Sequence, residues 1–123
     1  MIEGVVNVFR EAVIALSVRG LAGQTREIEA VIDTGYSGML TLPPLIVSEL
    51  DLPFRSSGRA ILASGAEEAF STYEATVLWD DAEREVEVDA LGPTPLAGMA
   101  LFEGYKLCLE VSDGGRVTIE TGR

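Results

Sequence analysis

The sequence predicts an all-β domain carrying one or two short helices. Three observations lead there. Short stretches of apolar residues alternating with polar ones recur along the chain, clusters rich in Gly, Pro, Asp and Ser separate them, and apolar residues at helical spacing are confined to short segments. With 123 residues, 47% of them hydrophobic, the chain can bury one core and is too short for two ordinary domains, so residues 1–123 read as a single domain.

The segment from Ala12 to Val18 is apolar at both alternating positions, the pattern of a strand buried on both faces. Gly20 to Gln24 supply a turn, after which Ile28, Ala30 and Ile32 alternate with Glu27, Glu29 and Val31, so the two strands form a hairpin. Asp33 to Gly38 then break the apolar rise, and Met39 to Leu42 resume it. Leu42, Ile46 and Leu50 recur at helical spacing behind Pro43-Pro44, with Thr41 or Leu42 expected near the cap and Pro53 as the stop. Three strands follow, over Ala60–Ala63, Ala69–Trp79 and Arg84–Leu91. In the second, Tyr73, Ala75, Val77 and Trp79 share a face; in the third, Val86, Val88 and Ala90 do. Leu96 to Phe102 predict a strand turning into a short helix that Gly104 ends. Tyr105–Val111 and Arg116–Thr121 close the chain as a hairpin about Asp113-Gly114-Gly115.

Composition removes many functions. Nine basic against 20 acidic residues give a net charge of −11, which repels a phosphate backbone, so nucleic acid is not an expected partner. The acidic residues at Glu67-Glu68 and between Asp80 and Asp89 read as solvated strand and turn surface. No stretch approaches the roughly 20 apolar residues of a membrane span, and no signal sequence is evident, so the expected location is cytoplasmic. Cys108, the single cysteine, permits no intrachain disulfide and is expected to be a buried structural thiol. The chain contains no histidine, which excludes Ser-His-Asp and Cys-His catalysis and the usual zinc sites within one copy. Neither metal nor cofactor is expected.

Chemistry therefore rests on carboxylates, and Asp33 is the carboxylate in the most telling context. It follows two branched apolar residues at the end of a strand and precedes Thr34, Gly35 and a second strand. A lone ionised Asp is a poor general acid, whereas two close carboxylates share a proton, one then serving as base and the other as acid. Only one Asp-Thr-Gly is present, so the second carboxylate has to come from a second copy across a twofold axis. Gly35 then lets the two loops approach, and the Thr34 hydroxyl is suited to bonding across to the other loop.

Val31-Ile32-Asp33-Thr34-Gly35 resembles the active-site loop of the retropepsins, dimeric aspartic proteases of retroviral and bacterial type. The resemblance runs in order along essentially the whole chain, with its sharp content in two short motifs. It implies a closed β-barrel or sandwich acting as a homodimer, a strand pair before the loop, a central flap hairpin, and a late apolar-apolar-Gly motif that Leu96-Ala97-Gly98 fits. It implies catalytic roles for Asp33, Thr34 and Gly35. The flap falls at about Ile61 to Ser71 with Gly65 near its tip, making Ile61, Leu62, Ala63, Ser64 and Gly65, with Leu96 and Gly98, the substrate-binding candidates for a peptide or protein substrate. Tyr36 departs from the family pattern, standing where similar proteins often carry Ala or Ser. Met99-Ala100 also departs, following Gly98 where viral members commonly carry Arg and an acidic or amide residue.

Two other readings compete with this one. A non-catalytic dimeric module of the same fold keeps the groove without cutting, against which the intact Asp33-Thr34-Gly35 argues. A phosphoryl-transfer enzyme with Asp33 as nucleophile needs a second magnesium-binding carboxylate and alternating β and α elements, which the strand-rich remainder does not offer.

Overall fold

Period-two alternation becomes one continuous sheet in the computed structural model, which describes residues 1–122. The elements run β1 (Ile2–Val6), β2 (Ala12–Arg19), β3 (Thr25–Ile32), β4 (Leu40–Leu42), α1 (Pro44–Glu49), β5 (Phe54–Ile61), β6 (Glu67–Trp79), β7 (Ala82–Ala90), β8 (Leu96–Ala97), a 3-10 turn (Met99–Phe102), β9 (Tyr105–Leu109) and β10 (Arg116–Thr121). The protein is predominantly β, as the sequence predicts. Its strands lie in the order β5-β6-β7-β4-β8-β3-β2-β1-β10-β9, and β6 pairs with β2 as well, so the pairings return on themselves through β2, β3, β8, β4, β7 and β6. The inward faces of this circuit make the core, with Ile14, Leu16, Val18, Leu40, Leu42, Val77 and Val88 almost wholly buried. Trp79 closes one end, edge-on to Tyr105 at 5.6 Å and under the Arg84 guanidinium, which donates to the Leu101 carbonyl at 2.8 Å.

Several elements differ from expectation for identifiable reasons. β2 is not buried on both faces: Ala12, Ile14, Leu16 and Val18 are buried, but Ala15 is exposed and Val13 and Ser17 are only partly covered. The ladder neighbours of β2 lie beside it, and its outer face is only partly covered. β1 is an additional strand, which Gly4 makes possible, since a Cβ there would strike the Val13 carbonyl of β2. The N-cap of α1 is Pro43, not Thr41 or Leu42, and it makes no side-chain cap; the helix ends just before Asp51, which takes φ +50° two residues before Pro53. Cys108 is exposed and not buried, because β9 is an edge strand that turns Tyr105 and Leu107 towards the core and Lys106 and Cys108 away from it.

Two arrangements prepare the site. β3 and β4 do not pair; β8 lies between them, parallel to β3 (Val31 opposite Leu96, Ile32 opposite Ala97) and antiparallel to β4 (Leu40 opposite Ala97). The chain from Asp33 to Met39 must therefore arch across the end of β8. The second arrangement is the long β5–β6 hairpin, whose turn is closed by Leu62 N–H to the Ala66 carbonyl and Gly65 N–H to the Leu62 carbonyl, both at 2.8 Å. Gly65 sits at φ +86°, open to glycine at no steric cost. This hairpin starts at Phe54, earlier than the strand expected from Ala60.

Candidate active site

The arch from β3 to β4 is stitched to the end of β8 by backbone bonds. Asp33 N–H donates to the Ala97 carbonyl (2.9 Å), Gly98 N–H to Met39 (2.9 Å), Met99 N–H to Tyr36 (2.8 Å) and Ala100 N–H to Gly38 (3.1 Å). Such bonds contribute about 0.5–1.5 kcal/mol each, and their greater effect here is geometric: Asp33 is fixed by its own strand and by its neighbour. Within the loop, Gly35 N–H donates to Asp33 Oδ1 at 2.9 Å and Tyr36 N–H to the Asp33 carbonyl at 3.2 Å. The first of these aims and partly solvates the carboxylate without involving another side chain.

Asp33 opens onto a cavity of about 500 Å³. Gly35, Tyr36, Thr41 and Leu96 line it on the loop side, Ile61, Leu62 and Ala63 on the hairpin side, and Leu91 to Thr94 complete the wall. The lining is mostly apolar and Asp33 is its one carboxylate, an arrangement suited to holding an extended apolar segment against a single acidic group. Thr41 is buried and its Oγ1 accepts the Leu96 N–H at 2.9 Å, tying the cavity floor to β8.

Beneath the loop lies a polar cluster. Tyr36 O–H donates to Asp89 Oδ2 at 2.5 Å, and Thr72 O–H donates to Asp89 Oδ1 at 2.9 Å. Burial, and then the Asp89 carboxylate, push the Tyr36 phenol far above its ordinary range, so it remains a proton donor across all ordinary pH. The Tyr36 ring occupies space that two glycines leave open: a Cβ on Gly38 would collide with that ring, and one on Gly98 with both the ring and the Gly38 carbonyl.

No protein-family model matches this chain, and no curated protein matches it significantly. The site's reading therefore stands on its own residues.

Of the candidates from sequence, Asp33, Gly35, Ile61, Leu62, Ala63 and Leu96 are brought together around one cavity. Thr34 is exposed on the arch. Ser64 and Gly65 occupy the hairpin turn beyond the lining, and Gly98 is buried behind the loop, where it admits the Tyr36 ring instead of touching the cavity. Sequence reasoning missed Asp89 and Thr72. Asp89 sits among Glu85 and Glu87 in an acidic alternating run, and nothing in that pattern separates the one carboxylate that turns under the Asp33 loop from those that face water. Among the described residues no three His, Cys, Asp or Glu side chains converge as metal ligands, and no helix is long and apolar enough to cross a membrane.

Proposed function

We propose that the chain is an aspartic endopeptidase of retropepsin type, built as a closed β-barrel and active as a homodimer in which each copy contributes Asp33. The observation that carries this reading is the Asp33 carboxylate, aimed by Gly35 N–H, at the mouth of a largely apolar cavity walled by a hairpin tip. One copy offers one carboxylate there, and the acid–base chemistry needs two. A twofold partner supplies the second. Support for such a partner comes from the β1–β2 turn, which emerges at the same end of the sheet as Asp33, because Val13 of β2 lies opposite both Val5 and Val31. That turn is held by Asn7, whose Oδ1 accepts the Phe9 and Glu11 N–H groups at 3.0 Å, yet it presents Val8 at 65% and Phe9 at 77% exposure.

In the assembled site a water lies between the two Asp33 carboxyls, which share one proton. The ionised member takes a proton from the water as its oxygen attacks the peptide carbonyl, while the protonated member donates to the developing oxyanion. Collapse of the tetrahedral diol transfers a proton to the leaving amine, breaks the C–N bond and returns the pair to its starting state. The hairpin closes over the peptide, pairing its extended backbone and covering it with Ile61 and Leu62.

The test is cleavage of an unfolded protein from pH 3 to 8 at several enzyme concentrations, with Asp33→Asn alongside. The expected result is activity that is highest on the acidic side, fades as both carboxylates ionise, rises faster than linearly with dilute enzyme and vanishes in the variant. No cleavage by an intact dimer at any pH would reject catalysis and leave a dimeric module that binds peptides without cutting them.

A further inference from the structure

Asp89 is only partly exposed, and its two carboxylate oxygens are bound by donors from two different parts of the chain. Tyr36 belongs to the arch that carries Asp33. Thr72 belongs to β6, which runs without interruption from Thr72 back to Glu67 at the hairpin turn. Asp89 itself is on β7, in register with Thr72 on one side and with Thr41 of β4 on the other. The space at Gly98 is filled by the edge of the Tyr36 ring and that at Gly38 by its hydroxyl end, so a phenylalanine would fill most of it and leave the hydroxyl's share open. The hydroxyl has a further consequence: it joins the arch to a carboxylate that the hairpin also holds. A partly buried carboxylate deprived of one of its donors loses stabilisation that water replaces only in part.

We propose that Tyr36 is a positioning residue which, through Asp89 and Thr72, holds the Asp33 loop in register with the base of the hairpin that walls the cavity. Movement of the hairpin on an occupant then bears directly on the orientation of Asp33. The catalytic consequence rests on the peptidase reading above; the mechanical link does not.

The experiment compares Tyr36→Phe, Thr72→Val and the double variant, with Thr72→Ser as the conservative replacement and Thr76→Val as a control on the same strand. Amide hydrogen exchange is read across residues 33–38. Both single variants are expected to speed exchange in that loop by about tenfold, and the double variant to do no more than the stronger single one, since both cut the same chain of bonds. Thr72→Ser restores the protected state and Thr76→Val leaves it unchanged. In peptide cleavage, Tyr36→Phe lowers kcat by about tenfold while KM moves less than about twofold, the signature of misplaced chemistry and not of lost binding. Loop exchange unchanged in Thr72→Val, or fully additive effects in the double variant, would overturn the link. Coupled exchange in a chain that cuts no peptide would uphold the link and reject the peptidase reading, so the two ideas fail separately.

Discussion

Gly98→Ala and Gly35→Ala make a matched pair of perturbations, because both glycines belong to the motifs that single out this site while the structure assigns them opposite tolerance. Gly98 has φ −97° and ψ 173°, extended backbone that alanine adopts freely, so any penalty is steric. The added methyl meets the Gly38 carbonyl oxygen and the Tyr36 ring at separations that packed Cβ atoms do not show. Neither neighbour is free to retreat: the Gly38 carbonyl accepts the Ala100 N–H at 3.1 Å, and Tyr36 is tied to Met99 through its backbone and to Asp89 through its hydroxyl. Overpacking of this kind costs about 1–3 kcal/mol, and loss of one of those bonds adds about 1 kcal/mol. The total, about 2–4 kcal/mol, is a large part of the roughly 5–15 kcal/mol that stabilises a domain. At Gly35 the methyl would meet only Asp33 Oδ1, at 3.3 Å, and the expected change is within about 0.5 kcal/mol. Urea unfolding, run dilute enough to keep the chain monomeric, reads both. With a slope of about 2 kcal/mol per molar, Gly98→Ala should lower the midpoint by about 1–2 M and Gly35→Ala should barely move it. Equal midpoints for the two variants would refute the packing argument around Tyr36.

Leu62 is 44% exposed on the cavity wall, and covering it with a peptide is worth about 1 kcal/mol. Leu62→Asp should therefore raise KM for an apolar peptide by at least about fivefold with the fold intact, and unchanged kinetics would remove Leu62 from the cleft. If the β1–β2 turns meet across the proposed twofold axis, Phe9→Ser removes two rings from the contact, about 3 kcal/mol in all, and should weaken dimerisation by about 100-fold in sedimentation equilibrium. An unchanged dissociation constant would place the contact elsewhere. Cys108, exposed on the edge strand, should react with a small disulfide reagent in the native protein without prior unfolding. Reaction only on unfolding would contradict that exposure.

Much of the fold was legible because it rests on period-two patterns that a single buried face dictates. Ala75, Val77, Trp79, Val86 and Val88 announce their faces, and the turn at Gly114 announces the last hairpin. β2 misled because Val13 and Ala15 are apolar yet lie on its less covered outer side, and hydrophobicity alone does not tell a covered face from an open one. Cys108 misled for a related reason: flanking leucines suggest burial, whereas its position on an edge strand decides exposure. The site divides in the same way. Asp33 and the hairpin residues are contiguous motifs, readable where they stand. The Tyr36–Asp89–Thr72 cluster joins three distant segments through strand register, and register is set by the assembled sheet.

The most direct test of the account mixes wild-type chain with Asp33→Asn, refolds the two together so that copies pair at random, and follows peptide cleavage at fixed total concentration. If each site needs an Asp33 from both copies, activity falls as the square of the wild-type fraction, to about one quarter in an equal mixture. A fall to about one half would mean that each chain acts through its own Asp33 alone, and the shared dyad would be wrong.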